Sequence, residues 1–170
     1  DVFKEIENNL RVFGKLVMSK EQHAVVPKNI YLDKKLLKKN AISLSPLEKY
    51  KIIKNEYLNC KIVLIPIKEQ WDITSGVTVL YEAIASGKPV IVTDNILFPF
   101  DVEKEKVGKK VAYGDKQGWI DAINYFENNP KEIELMSINA RRLAVERFNY
   151  TNYKNELYEQ FVSMEKVIKR

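Results

Sequence analysis

The 170-residue sequence has a single cysteine and a single histidine. One thiol, Cys60, excludes an internal disulfide framework and suits a reducing compartment, so a cytoplasmic protein is expected. His23 has no cysteine or acidic cluster at ligand spacing, which argues against a zinc site. No apolar run approaches the roughly 20 residues of a membrane-spanning helix, and no secretory hydrophobic region opens the chain. Zinc-finger, RNA-binding and helix-turn-helix signatures are missing too, so nucleic acid is not expected as a partner. Neither an internal repeat nor a low-complexity linker divides the sequence, which predicts one domain over 1–170. The chain opens Asp-Val-Phe without an initiator methionine, so a piece of a longer protein is expected.

What is present is ordinary for a water-facing globule. A hydrophobic share of 45% is enough to bury a sizeable core. The 28 lysines and arginines outnumber 23 aspartates and glutamates, for a net charge of +5. The excess gathers in DKKLLKKN (33–40), EKEKVGKK (103–110) and the terminal KVIKR. A basic face can meet acidic lipid or a phosphorylated substrate, or can simply be solvated. A peripheral place at the inner face of a membrane therefore stays open.

The N-terminal third is weakly patterned: a short helix at 1–9, strand candidates at 10–18 and 28–33, and an irregular lysine-rich insertion at 34–44. From Ser45 the signals sharpen. Ser45 as N-cap, Pro46 at the first helical position and Glu48 three residues after the cap form a capping box, predicting a helix from 46 to about 58. KIVLIPI (61–67) reads as a buried strand, followed by a loop at 68–75 and a helix over 76–86 closed by Gly87 and Pro89. PVIVTD (89–94) is the next strand, 95–110 a loop and KVAY (110–113) a short strand. Asp115 caps a helix over 116–128, Pro130 starts another reaching 147, and a last helix runs from Thr151 toward 166. Strands alternating with helices predict an α/β fold, a Rossmann-like parallel sheet flanked by helices, with a helical C-terminal tail.

The stretch TSGVTVLYEAIASGKPVIVTDN (74–95) places one carboxylate in an otherwise apolar and small-residue helix. Winding at 3.6 residues per turn puts Val77, Leu80 and Ile84 on one stripe flanked by Val79 and Ala83, the face toward the sheet. Ser75, Thr78, Glu82 and Ser86 form a second, polar stripe. The first helical turn has unpaired N–H groups and partial positive charge, and Gly76 lets another group come close to the backbone. Such a turn cradles a phosphate or diphosphate. Glu82 lies roughly 9 Å further along the axis at about 1.5 Å per residue, within reach of a ribose on that diphosphate. A carboxylate can accept from both hydroxyls of a cis-diol. The alternative for Glu82 is plain solvation.

SGVTVLYEAIASGKPVIVTD resembles the donor-binding segment of retaining GT-B glycosyltransferases of the family 4 type, whose pattern is E-x7-E followed by a small residue and Gly-Lys-Pro-Val-Ile. Glu82, Ala83, Ser86, Gly87, Lys88, Pro89, Val90 and Ile91 match it directly. EYLNCKIVLIPI, VGKKVAYGD and NPKEIELMSINARRLAVERFNYTNY are similar to neighbouring segments of the family, so the likeness covers about Pro46 to Phe161. The resemblance implies a nucleotide-sugar donor held with no cofactor and no metal, in agreement with the absence of Asp-x-Asp. It implies that Glu82 holds the ribose and that backbone amides around Ser75, Gly76, Val77 and Thr78 hold the diphosphate. The family's first glutamate, which touches the donor sugar, aligns with Thr74; charge is lost there, which bears on the donor sugar or on activity. The family's Arg and Lys that neutralise the leaving diphosphate have candidates in Lys15 and Lys20 after Gly14, unless LRVFGK is a later strand and the true pair lies upstream.

By the same resemblance, an N-terminal GT-B domain of the same protein would hold a glycan, lipid or protein acceptor, acidic or lipid-linked acceptors included. No catalytic side chain is assigned within this chain, which alone would bind donor weakly and transfer nothing. The rival is a non-catalytic lobe that binds a partner or senses a sugar nucleotide, favoured by Thr74 and by LFPFDVE (97–103) in place of the usual Gly-rich loop. Phe98 and Phe100 there either line an acceptor cleft or pack the loop. Cys60 is expected in the core, and Arg141 and Arg142 on the surface of the tail.

Overall fold

Strands and helices alternate from Pro46 onward as the hydrophobic pattern predicts. The structure, a computed structural model, describes residues 46–67 and 76–168. The expected elements before residue 46, the Ser45 cap, His23 and the candidates Lys15, Lys20, Thr74 and Ser75 lie outside the described residues. Helix α1 spans Pro46–Asn59, strand β1 Val63–Ile65, helix α2 Val77–Ala85 and strand β2 Val90–Thr93. Strand β3 covers Gly108–Val111, and helices α3 (Lys116–Asn128), α4 (Pro130–Glu146) and α5 (Tyr150–Ile168) complete the order.

The three strands lie in the order β1-β2-β3, all parallel. Val63 pairs with Val90 and Ile65 with Val92, while Val90 pairs with Gly108 and Thr93 with Val111. Parallel strands need crossover connections, and α2 supplies the one between β1 and β2. β3 begins and ends two residues before the expected 110–113. The reason is Gly108: a Cβ there would sit 2.2 Å from the Val90 carbonyl oxygen, so the absent side chain is what admits close pairing at this position.

Side chains alternate across the sheet and both faces are covered. Ile65, Val90 and Val92 pack with Leu80, Ala83 and Ile84 of α2 and with Ala140 and Ala144 of α4. On the other face Ile91 and Val111 pack with Trp119, Ala122, Ile123 and Phe126 of α3. Small residues on α4 let its backbone come close to α2. Asp115 caps α3 as expected, accepting from the Gly118 amide at 2.8 Å, and Pro130 opens α4. Val77 is half-buried rather than central, and Val79 is 37% exposed, about 100° around the axis from the fully buried Leu80. α5 carries an exposed row of Tyr153, Leu157, Phe161 and Met164. No helix among the described residues is long and apolar enough to cross a membrane.

Candidate functional site

In open parallel sheets the ligand site lies beyond the carboxyl ends of the strands. Here that edge carries Ile67 after β1, the start of α2, Thr93 at the end of β2, and Asp94 and Asn95 after it. The Thr93 hydroxyl accepts from the Ile67 amide at 3.0 Å, tying the two strand ends together. Asn95 is buried and its side-chain oxygen accepts from the Leu97 amide, turning the chain into the loop that follows.

Gly76 is the N-cap of α2 with φ +83°, a left-handed conformation that disfavours any side chain. A Cβ there would also lie 2.7 Å from Ile65 Cγ2. Glycine is therefore favoured by the start of α2 itself, whatever else approaches the backbone. The first intrahelical bond, from the Leu80 amide to the Gly76 carbonyl, leaves the Val77, Thr78 and Val79 amides without helical acceptors, and Gly76 has no side chain with which to cap them.

Thr78 and Glu82 are exposed on the polar stripe and Ser86 is half-buried. Glu82 has a partner, however. The Tyr57 hydroxyl, reaching from the last turn of α1, donates to Glu82 Oε2 at 2.9 Å. Burial, followed by the bond to Glu82, pushes the Tyr57 phenol far above its ordinary range, so it remains a proton donor. Nothing in sequence spacing pointed to Tyr57, because the contact joins residues on two separate helices.

The Gly-Lys-Pro segment explains how these helices are held. Gly87 takes a positive φ of 65°, with its amide on the Ile84 carbonyl and the Lys88 amide on the Ala83 carbonyl. Those two bonds form a Schellman motif ending α2. The Lys88 ammonium then donates to the carbonyls of Leu58, at 3.1 Å, and Cys60, at 2.9 Å, capping the end of α1. Pro89 is buried and its carbonyl accepts from the Val63 amide. Cys60 is half-buried, donates to the Tyr57 carbonyl, and has its thiol pKa raised by burial.

The 95–107 loop closes the edge by its own contacts. Phe100 stacks on Phe148 and both meet Tyr81, so Phe100 packs the loop; Phe98 lies 3.6 Å from where a Gly76 Cβ would be. Burial raises the Tyr81 phenol pKa. Lys110 binds Asp101 at 2.9 Å and Asp94 at 3.5 Å. That bond holds the Asp101 carboxyl below the usual carboxylate range and raises the Lys110 ammonium. Arg141 is exposed and donates to the Ala85 carbonyl, and Arg142 donates to Asn139. A shallow apolar depression lined by Ile138, Arg141 and Val145 lies along α4, by the C-terminal end of α2 rather than by Gly76.

The structure thus places Gly76, Val77 and Thr78 at the start of α2, by the carboxyl ends of the strands, and pairs Glu82, further along the same helix, with Tyr57, with Lys88 holding the end of its helix. No curated protein sequence matches the chain. The family model for glycosyl transferases group 1 matches residues 3–143, a span that takes in the sheet, α2 with Glu82 and most of α4. A parallel α/β sheet carrying that helix and a match over most of the sequence lead to one assignment: the chain belongs to the group 1 glycosyltransferases.

Proposed function

We propose that this chain is the nucleotide-sugar-binding half of a retaining GT-B glycosyltransferase, with Glu82 holding the donor ribose. The single observation that supports this best is the Glu82 carboxylate, exposed on the polar stripe of α2 and oriented by Tyr57. The diphosphate sits against the amides of the 74–78 segment, where the helix start favours negative charge. Thr74 offers a hydroxyl to the donor sugar, and neutralising the departing diphosphate falls either to Lys15 and Lys20 or to an Arg/Lys pair elsewhere in the protein. Stabilising charge as it develops on the leaving group is the main catalytic work of this half. An N-terminal domain of the same protein supplies the acceptor, a glycan, lipid or protein, and the reaction needs no metal. A cytoplasmic setting, beside the inner face of a membrane when the acceptor is lipid-linked, suits such a donor.

The test is donor turnover by the full-length protein against a panel of UDP-, GDP- and ADP-sugars, with and without EDTA. Hydrolysis or transfer of one donor, unchanged by EDTA and lost in Glu82→Gln, is expected. Tight nucleotide binding without turnover of any donor would instead identify a sensing lobe.

A further inference from the structure

We propose that Tyr57 is a positioning residue for Glu82, setting the discrimination in favour of ribose; this rests on the ribose-binding role proposed above. A carboxylate on an exposed helix face normally samples several rotamers, and any ligand that uses it must first select one. Glu82 is different: Oε2 accepts from Tyr57 Oη at 2.9 Å. A carboxylate has about four lone-pair positions, so one phenol bond leaves Oε1 and one position on Oε2 for the two hydroxyls of a cis-diol.

Tyr57 is in turn held from three sides. Its ring is half-buried and packs against the core that joins α2, α4 and the sheet. Its carbonyl accepts from the Cys60 thiol at 3.4 Å. The turn that carries it is capped by Lys88 through the Leu58 and Cys60 carbonyls. Lys88 follows Glu82 closely in the chain, just past the end of α2, so a single motif supplies the carboxylate and anchors the helix that orients it. Burial keeps the phenol protonated, hence a permanent donor toward Glu82. A phenylalanine would keep the ring and its packing and remove only this bond.

The experiment is calorimetric titration of the full-length protein and of Tyr57→Phe, Glu82→Gln and the double variant. The probes are UDP, GDP and ADP, followed by the 2′,3′-dideoxy counterpart of whichever binds best. Tyr57→Phe should weaken the ribonucleotide by roughly three- to tenfold, the value of one oriented hydrogen bond. It should leave dideoxynucleotide affinity unchanged, and the double variant should bind like Glu82→Gln alone. A loss shared equally by ribo- and dideoxynucleotide would make Tyr57 merely structural and overturn the proposal. So would native-like binding by Tyr57→Phe alongside a loss in Glu82→Gln, although Glu82 would then keep its role. Should Glu82→Gln bind like the native protein, or no nucleotide bind at all, the ribose role of Glu82 falls and the positioning role with it.

Discussion

Leu80→Ala probes the packing that presents Glu82. Leu80 has no solvent exposure and lies in a cluster with Ile65, Ile84, Val90, Val92 and Ala140. Truncation removes three carbons from the junction of α2, the sheet and α4. Leucine-to-alanine changes in cores cost about 2–5 kcal/mol, the higher values where the surroundings cannot collapse. Here the walls are two strands and two helices that already touch through alanines, so about 3–5 kcal/mol is expected. In a domain of this size that lowers the midpoint of thermal unfolding by roughly 6–20 °C. Thr78→Ala is the control. Thr78 is exposed one turn from Glu82, and alanine is the better helix former, so stability should stay within about 0.5 kcal/mol. Chemical denaturation followed by far-ultraviolet circular dichroism reads both. Equal losses at the two positions would refute the assignment of helix faces and with it the exposure of Glu82.

Gly76→Ala should destabilise by roughly 2–5 kcal/mol, combining left-handed strain with overpacking, because its Cβ would lie 2.7 Å from Ile65 Cγ2; a neutral effect on the denaturation midpoint would contradict that. Lys88→Met should cost about 1–2 kcal/mol and speed hydrogen exchange at the Cys60 amide, which bonds to Glu56 at the end of α1; unchanged exchange would remove Lys88 as that helix's cap. The Asp101–Lys110 bond gives a stability term with two edges. Because Asp101 is held below its unfolded value of about 3.9, the contribution is present above that pH and fades as pH falls through the lowered value. Because Lys110 is raised above about 10.4, it is present below that pH and lost as pH rises through the raised value. Asp101→Asn should flatten the acid limb of a stability–pH curve, and an unchanged limb would show the pair to be energetically silent.

Much of the fold from Pro46 on is legible because its elements carry local signals. Asp115 and Pro130 mark helix starts by capping chemistry, Gly87 marks an end by its left-handed backbone, and the apolar strands are buried on both faces. Where only a long-range contact decides, the sequence is mute. β3 starts early because Gly108 faces the Val90 carbonyl. Val79 is more exposed than its hydrophobicity suggests, since α4 meets α2 on the side of Ala83 and Leu80. Glu82 is legible as a carboxylate on a polar stripe, but its bond to Tyr57 joins residues 25 apart in sequence and has no periodicity to betray it. Gly76 was legible as a place of close approach, whereas the group it must admit includes the protein's own Ile65.

Glu82 and the ribose are best tested together. Glu82→Gln retains size and can still accept from Tyr57, so the unliganded protein should unfold at nearly the native temperature. Each charge-assisted bond to a ribose hydroxyl is worth roughly 1.5–3 kcal/mol, so nucleotide affinity should fall at least about tenfold. Removing the 2′-hydroxyl from the nucleotide should weaken binding to the native protein and cost little more on the variant. Calorimetric titration of both nucleotides against both full-length proteins closes that cycle. Strongly non-additive losses are predicted; losses that simply add would mean that Glu82 does not touch the ribose, contradicting the site proposed here.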